Sequence, residues 1–427
     1  MRKMLKGALV LAAGTSSRMD SRISKLLQPV AGKPMILWVK EALTKAGAQD
    51  QVYVVGYQQA EIRKTVGENM IYMLQNRPLG TGHATAKAAS FLEGVKGEVL
   101  VCPADIPLIR PQTLINLVNN FSDCACAFIS AEIPKAANLT YEEVIRSADH
   151  RIIGLKAAPT CNLISDFFDA ASGPLTRSRY LTPQKLKETV EVSSGIYCFD
   201  TSLLLSALGK IGARMGNDKT YELSDIIRLL LADGHQVKAI PANSLEVLGV
   251  KTRPELDDAA YLMNQRICAY HMNRGVTIID PDSCIIDYNV SIGSDSVIGP
   301  QVVLTQGTQI SNNCRIGAFS SLQSAFIGEN TKIERAVLQE CKLGQDNLIE
   351  PFTEIRQSVL GDNCRVESFT LLKNSQLADN VIVHDHSSLA FVQAEKLQEF
   401  KSGTIIKDYR SQKLQERQEL ENRKYKW

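Results

Sequence analysis

The residues with the clearest chemical potential are a loop of small side chains and two cations near the start of the chain. Leu11-Ala12-Ala13-Gly14 closes an apolar run, and small polar residues lead from there to Arg18 and on to Lys25. Small side chains let a backbone approach a nucleotide, and loop N–H groups bind phosphate oxygens. Arginine binds phosphate as a fork and lysine as a point charge. The pattern therefore predicts that this loop binds a triphosphate.

The elements that position this loop follow from the apolar pattern of the first 250 or so residues. Strands are predicted at residues 8–13, 52–55, 71–74 and 98–102, and helices at residues 34–46, 61–66 and 82–92. Strands that alternate with helices favour a parallel sheet in an α/β layer fold. Ligands bind such sheets at the carboxyl ends of strands, so chemistry is expected just after Ala13, Leu74 and Cys102.

A six-residue repeat replaces this pattern in the second half of the chain. Apolar residues fall six apart from Ile292 to Leu322, and the repeat then continues to Val383 with occasional slips of one residue. Glycine often follows the apolar position, which is typical of a hexapeptide β-helix whose strands each place one aliphatic side chain inward. The predicted fold is α/β: a Rossmann-like domain followed by a left-handed parallel β-helix.

The predicted boundaries are a nucleotide-binding domain at residues 1–252, a linker helix at 253–274, the β-helix at 275–392 and a charged tail at 393–427. The linker is predicted as a helix because apolar residues recur at three- and four-residue steps before Gly275. The tail has sparse apolar anchors such as Leu397 and Phe400, and one or two surface helices are expected there. Its cluster of basic residues leaves a tail that binds nucleic acid or a partner as the alternative.

Composition and charge bear on location and partners. The net charge is +2, which gives no overall field for nucleic acid or an anionic membrane, and no segment reaches the ~20 apolar residues of a membrane span. The ten cysteines show no CxxC pair and no zinc spacing, so reduced thiols are expected. The short apolar run after Lys6 is at the lower limit for a signal peptide. A cytoplasmic protein with no nucleic-acid or membrane partner is expected.

Further segments carry a family resemblance, namely residues 31–35, 75–84, 102–108, 193–197, 221–227, 246–250 and 275–281. With the phosphate loop, they make the chain resemble nucleotidyltransferases that activate sugar phosphates, and most of all the bifunctional GlmU family. The resemblance implies that UTP and N-acetylglucosamine-1-phosphate react to give UDP-N-acetylglucosamine and pyrophosphate. It also implies Mg²⁺ as cofactor and a homotrimer assembled through the β-helix.

The resemblance assigns roles to individual residues. Arg18 and Lys25 would be catalytic, Asp105 would bind Mg²⁺, and Gln75 would pair with the base. The nucleotide would be bound by Leu11, Ala12, Ala13, Gly14, Gln75, Gly80 and Thr81, and the sugar by Glu142, Ser193 and Gly195. Asp105 has a plainer interpretation as a turn cap before Pro107, and His83 is expected to begin a packed helix rather than to act as an acid or base.

The sequence departs from the family mostly on the sugar and metal sides. Lys251 stands where the family has a second metal ligand, an asparagine, and a protonated ammonium cannot ligate Mg²⁺. Glu142 replaces a glycine, Ala157 an acidic residue and Ser193 an asparagine. Two alternatives follow: a nucleotidyltransferase for a different sugar phosphate, and a regulatory paralogue that binds nucleotide without catalysis.

The second half departs further. Arg356 and Lys373 match positions that bind the amino-sugar phosphate in the family's acetyltransferase half. In the plain register Asp385 occupies the catalytic histidine position, and a shift of one residue would bring His384 or His386 there instead. The family's acetyl-CoA-binding coils beyond Phe391 have no counterpart in the sequence. We therefore expect the acetyltransferase half to be inactive and the β-helix to act as a trimerisation scaffold.

Overall fold

The computed structural model of the chain describes residues 7–15, 17–134, 141–156, 189–215 and 219–407. Contacts divide the chain into two compact units, Met1–Leu262 and Met263–Trp427. Within the described ranges, no helix is both long enough and apolar enough to cross a membrane. The first unit has an α/β fold around one sheet, and the second unit is a β-helix.

A nine-stranded mixed sheet forms the centre of the first unit, and a small hairpin lies outside it. The strands are β1 (Ala8–Ala12), β2 (Pro29–Val30), β3 (Lys33–Pro34), β4 (Gln51–Val55), β5 (Ile71–Leu74), β6 (Glu98–Pro103), β7 (Cys126–Pro134), β8 (Glu142–Arg146), β9 (Ile152–Lys156), β10 (Thr189–Asp200) and β11 (Val237–Pro241). The order in the sheet is β11-β7-β10-β6-β1-β4-β5, with β8 paired to β10 and β9 to β8, while β2 and β3 form the hairpin.

Strand direction differs between the two halves of this sheet. β1 is parallel to β4 and β6, and β4 is parallel to β5, as predicted. β10 is antiparallel to both β6 and β7, so the expectation of a parallel sheet is wrong for the sheet as a whole. The periodicity behind it covers only the four predicted strands. An antiparallel neighbour needs no helical crossover, so no alternating pattern reveals it.

Helices cover both faces of the sheet. They are α1 (Met35–Ala46), α2 (Gln59–Val66), α3 (Gly80–Ala86), α4 (Ala89–Leu92), α5 (Pro111–Asn119), α6 (Thr201–Met215) and α7 (Leu223–Ala232). A further helix, α8 (Arg253–Met272), follows later in the chain. α8 begins with a capping box, in which the Thr252 N–H donates to the Glu255 carboxylate at 2.8 Å and the Glu255 N–H to the Thr252 hydroxyl at 3.4 Å. The single helix predicted at residues 82–92 is two helices, because Ala88 leaves the helical region at φ −97° and ψ 13°.

Alternating residues of the central strands build two cores. Val10 and Tyr53 pack with α1, α2 and α5 on one face, while Leu9 and Val54 pack with α3, α4, α6 and α7 on the other. This is the two-residue period of a strand with both faces buried. The carboxyl ends of β1, β4 and β6 are thereby fixed at one edge of a three-layer unit.

Three parallel sheets form the left-handed β-helix of the second unit. The first contains Thr277–Ile278, Val297–Ile298, Arg315–Ile316, Lys332–Ile333, Leu348–Ile349, Arg365–Val366, Ile382–Val383 and Glu399–Phe400. The second contains Ile285–Ile286, Val303–Thr305, Ser321–Gln323, Val337–Gln339, Glu354–Arg356, Leu371–Lys373, Ser388–Ala390 and Ile405–Ile406. The third contains Ser291–Ile292, Gln309–Ile310, Phe326–Ile327, Lys342–Leu343, Val359–Leu360, Gln376–Leu377 and Gln393–Ala394.

The coil length explains the slips in the six-residue repeat. Val297 pairs with Arg315, three full hexads further along the chain, whereas Arg315 pairs with Lys332, one position short of three hexads. A coil has one hexad for each of its three sides, so each slip removes a single residue at a turn. The repeat positions from Ile292 to Val383 are all buried, which confirms the predicted inward column. Turn residues such as Asn330 and Asn380 adopt φ of 58° and 60°, a conformation that asparagine tolerates well.

The coils continue beyond the predicted boundary at residue 392. Ala394 and Phe400 are buried in strands, so the helical tail predicted to begin at residue 393 is wrong up to residue 406. Leu397, taken as a helix anchor, is 74% exposed on a turn with φ of 64°. The repeat was missed because Ala394 is small and Phe400 is not aliphatic, although both keep the spacing. Residues 408–427 of the predicted tail lie outside the described residues.

Replacing Phe400 by alanine is expected to open the last coil of the described residues. Phe→Ala in a core costs about 3–5 kcal/mol, and a coil contacts only its neighbours, so the loss stays local. Hydrogen exchange at the amides of residues 388–406 measures it. The matched Leu397→Ala variant, at an exposed turn, is expected to change protection by no more than about 0.5 kcal/mol. Equal protection in both variants would contradict a buried role for Phe400.

Candidate active site

The carboxyl ends of β1, β4 and β5 converge at a glycine. A Cβ at Gly56, the residue after β4, would lie 3.0 Å from the carbonyl oxygens of Ala13 and Gln75. The Gln75 N–H also donates to the Val55 carbonyl at 2.8 Å. The end of β1, which carries the predicted nucleotide-binding residues, therefore lies close to Gln75. Gly56 was not identified from the sequence, although its position directly after a predicted strand is a signal for close backbone packing.

The loop that follows β1 is held by Gln58, at the start of α2. The Gln58 side chain accepts the Ser24 N–H and donates to the Arg22 carbonyl. Gln58 itself has φ of 51°, a left-handed conformation that is uncommon outside glycine. Both side-chain bonds fix the segment immediately before Lys25.

Arg253, the first residue of α8, holds the same loop from the other side. Its guanidinium donates to the Met19 carbonyl at 3.4 Å and to the Gln28 side chain at 3.3 Å. These contacts lie on either side of Lys25, and the one at Met19 is directly next to Arg18. Neither Gln58 nor Arg253 was identified from the sequence, because no local pattern relates them to a loop so distant along the chain.

Lys25 and Asp105 form an ion pair between the first loop and the end of β6. The Lys25 ammonium also donates to the Val250 carbonyl at 3.2 Å, and the Val250 N–H donates to the Asp105 carbonyl at 2.8 Å. The structure thus brings together two residues predicted for the site and adds the segment around Val250. The interpretation of Asp105 as a turn cap does not explain its ion pair with Lys25.

Lys251 adds a further cation beside Asp105. Burial lowers the pKa of the Lys251 ammonium, while the carboxylates of Asp105 and Glu255 act in the opposite direction and Lys25 and Arg18 add to the lowering. Arg18 is exposed in a short 3₁₀ helix. Predicted residues Arg18, Lys25 and Asp105 therefore share one charged neighbourhood with Lys251.

Tyr141 supports the segment that carries Lys251. Its hydroxyl accepts the Gly249 N–H at 2.9 Å and donates to the Val247 carbonyl at 3.4 Å. The Lys251 ammonium lies 5.2 Å from the centre of the Tyr141 ring, within cation–π range. Burial raises the pKa of Tyr141 to about 12, so the hydroxyl remains protonated near neutral pH.

The predicted base-binding segment is packed against the start of α7. A Cβ at Gly80 would lie 2.3 Å from the Tyr221 carbonyl oxygen, and Gly80 has φ of 94°. The Thr81 N–H and hydroxyl both donate to Glu222, at 2.8 and 2.6 Å. This tie between residues 80–81 and residues 221–222 was not predicted, since no local pattern relates segments about 140 positions apart.

Gln75, which the resemblance pairs with the base, is buried and oriented. Its side-chain amide donates to the Gly80 carbonyl at 3.1 Å and lies 2.8 Å from the His83 Nδ1 atom. Burial lowers the pKa of His83, with Lys87 adding to the effect, so a neutral imidazole is favoured. The ring also packs edge-on against Tyr221, 6.2 Å between centres. These contacts agree with the packing role expected for His83.

The predicted sugar-side residues lie on β8 and β10, which pair through Ser193 and Glu142. The Ser193 and Tyr197 hydroxyls are 3.1 Å apart, and the Gly195 N–H donates to Ser193 at 3.3 Å. Gly195 has φ of 80° within a bulge of β10 and lies against Pro103 at the end of β6. The bulge therefore connects the sugar side to the segment that leads to Asp105.

Glu142 lies in a crowded environment of charged groups. Burial raises the pKa of its carboxyl, and Glu222 and Asp225 act in the same direction, whereas a Ser224 hydrogen bond and the Arg228 charge oppose them. Ala157, another predicted sugar-side departure, lies outside the described residues, as does Ser16 in the first loop. Glu142 lies among the described residues and is a departure that introduces a charge.

In the second unit, the histidines near the predicted acetyltransferase position have other contacts. The His384 ring nitrogens lie 2.6 Å from Glu399 and 3.0 Å from Glu367, and these two carboxylates raise the pKa of the imidazole. His386 stacks on Phe369 with 5.0 Å between ring centres. Arg356 and Lys373 are partners on adjacent coils. These contacts tie both histidines to neighbouring coils, and the expected inactivity of this half stays a prediction.

Comparison with known proteins defines the class of the first unit. Residues 8–151 match the family described as a MobA-like NTP transferase domain. Together with the cations at the edge of its sheet, this match makes the chain a sugar-1-phosphate nucleotidyltransferase.

Three similar proteins identify the family, each named Bifunctional protein GlmU. The one from Geobacillus thermodenitrificans is 32% identical over 350 residues, 82% of this chain and 72% of its own length. Those from Clostridium botulinum and Acetivibrio thermocellus are each 32% identical, over 83% and 82% of this chain and 73% and 71% of their own lengths. The chain belongs to the GlmU family.

Nucleotidyltransferases of this kind generally use a divalent metal ion. In the described part of the chain, no group of three or more His, Cys, Asp and Glu side chains is placed to hold one. Asp105 offers the hard oxygen that such ions prefer, but an ammonium occupies position 251. The described residues fit an ion bound by the nucleotide phosphates and one carboxylate. They do not fit an ion held by two protein ligands at positions 105 and 251.

Proposed function

We propose that the chain makes UDP-N-acetylglucosamine and pyrophosphate from UTP and N-acetylglucosamine-1-phosphate. The observation that carries the proposal is the cluster of Arg18, Lys25 and Lys251 around Asp105 at the ends of β1 and β6. Membership of the GlmU family supports the same reaction. Cations grouped at the carboxyl ends of parallel strands suit a polyphosphate substrate.

In this reaction the protein positions the two substrates and stabilises the charge on the phosphates. A phosphate oxygen of the sugar phosphate attacks the α-phosphorus of UTP, the bond to the bridging oxygen breaks, and pyrophosphate leaves. Arg18 and Lys25 stabilise the charge that grows on the phosphates, as preorganised donors do in phosphoryl transfer. The Val250 carbonyl and the Asp105 carboxylate direct the Lys25 ammonium.

The nucleotide is bound in this proposal by the backbone of residues 11–14 and by residues 75–81. Gln75 is fixed by Gly80 and His83, so its side chain presents a defined face toward the base. Asp105 would hold Mg²⁺ that arrives with UTP, and the ion supplies charge neutralisation on the phosphates when bound. Glu142, Ser193 and Gly195 are proposed to line the sugar side.

A second candidate is the same transfer to a different sugar phosphate. Glu142 favours it, because a carboxyl group raised in pKa among Glu222 and Asp225 offers hydroxyl recognition rather than an apolar surface for an acetyl group. The two candidates share the nucleotide side and differ only in the acceptor.

A pyrophosphate-release assay with several triphosphates and sugar phosphates tests the proposal. We expect UTP with N-acetylglucosamine-1-phosphate to give the highest kcat/KM. Release with UTP and a non-acetylated sugar phosphate only would favour the second candidate. The absence of release with every pair, from protein that binds UTP, would contradict both.

The homotrimer remains a proposal. Apolar side chains face outward from the second β-helix sheet, including Ile285, Val337, Leu371 and Ile405, each more than a third exposed. A flat, partly apolar sheet face is suited to a partner copy.

A further inference from the structure

Among the described residues, the charged group that includes Asp105 contains one more cation than carboxylates. Arg18, Lys25 and Lys251 are grouped with the carboxylates of Asp105 and Glu255. Three positive groups face two negative ones before any substrate is bound. Such a cluster attracts a polyphosphate and repels a free divalent cation.

Glu255 has a structural task that occupies its carboxylate. One of its oxygens accepts the N–H groups of Lys251 and Thr252, at 2.7 and 2.8 Å, as part of the capping box of α8. Asp105, the other carboxylate of this cluster, follows β6 and is already paired with Lys25.

The position of Lys251 is fixed by the same framework. The Val250 N–H donates to the Asp105 carbonyl, and the Val250 carbonyl accepts from the Lys25 ammonium. Lys251 directly follows Val250, so its backbone is fixed beside both residues. The ammonium lies against the Tyr141 ring, and that ring is itself held by Gly249. A partly buried ammonium costs desolvation that an apolar side chain of similar length would avoid. A role in packing alone does not account for a lysine here.

We infer that Lys251 contacts the substrate and that its ammonium binds a phosphate of the nucleotide. The positive charge of Lys251 takes the place of part of the charge that a metal ion held by two protein ligands would supply. The inference deepens the proposed function and rests on it. The chain therefore holds its divalent ion mainly through the nucleotide, and a residue with a neutral oxygen at position 251 strengthens metal binding.

Three variants test the inference: Lys251→Met, which removes the charge at similar length, Lys251→Asn, which also adds an oxygen ligand, and Lys210→Met as control. Lys210 pairs with Asp233 on the surface, away from the described site. Electron paramagnetic resonance measures Mn²⁺ binding to each protein with UTP and no sugar phosphate. We expect Lys251→Asn to bind Mn²⁺ about tenfold more tightly than the parent chain.

Pyrophosphate release gives the second readout. Lys251→Met is expected to lower kcat/KM about 100-fold, with no recovery as Mg²⁺ is raised and no fall in thermal midpoint. Equal Mn²⁺ affinity in parent and Lys251→Asn, or a kcat/KM of Lys251→Met within about threefold of the parent, would overturn the inference. If no sugar phosphate supports release, the proposed function fails, while the Mn²⁺ titration with UTP still decides the role of Lys251.

Discussion

Lys25→Met is expected to lower kcat/KM for pyrophosphate release by about two to three orders of magnitude. The ammonium is directed by Asp105 and by the Val250 carbonyl, and its charge is needed most as the leaving pyrophosphate forms. Initial rates over a range of UTP concentrations measure the loss in kcat/KM. Lys45→Met is the matched control, because Lys45 is exposed and pairs locally with Glu41.

The ion pair complicates this variant, since Lys25→Met leaves the Asp105 carboxylate without its ammonium. An unpaired, partly buried carboxylate destabilises a protein by itself. The double variant Lys25→Met with Asp105→Asn removes both charges and is expected to recover stability in urea without recovering activity. If activity returned together with stability, or if Lys25→Met kept kcat/KM within about threefold of the parent, Lys25 would have no catalytic role.

Gly80→Ala is expected to weaken UTP binding about 100-fold and to lower the free energy of unfolding by about 2–4 kcal/mol. Its new Cβ would lie 2.3 Å from a backbone oxygen of Tyr221, at a φ of 94° that alanine rarely adopts. The segment 80–81 must then move away from α7, and the Thr81 bonds to Glu222 are lost. Calorimetric titration with UTP and urea unfolding measure the two effects.

Gly209→Ala is the matched control for Gly80→Ala, because the same substitution is expected to stabilise the chain at this position. Gly209 lies inside α6 with no atom within 4 Å of the new Cβ, so alanine is expected to stabilise the chain by about 0.5–1 kcal/mol and to leave UTP affinity unchanged. A Gly80→Ala protein that binds UTP like Gly209→Ala would show that residues 80–81 do not contact the nucleotide.

Much of the fold was predictable because burial imposes a period on the sequence. The inward column from Ile292 to Val383 was found from spacing alone, since each β-helix strand must bury one side chain. The same logic failed at Ala394 and Phe400, where the spacing persists but the residue types change. In the first unit, the alternation of strands and helices located the four predicted strands, which are parallel. It did not predict the antiparallel strand β10.

The sequence by itself determined the α/β and β-helical architectures, and it predicted the phosphate loop with Arg18, Lys25 and Asp105 as site residues. Local patterns suffice for these, because periodicity and motif spacing are written in consecutive residues. Only the tertiary structure decided that Lys25 pairs with Asp105, that Gln58 and Arg253 hold the first loop, and that Lys251 joins the charged cluster. Those contacts join residues 34 to 234 positions apart, and chain folding rather than any local signal brings them within reach of one another.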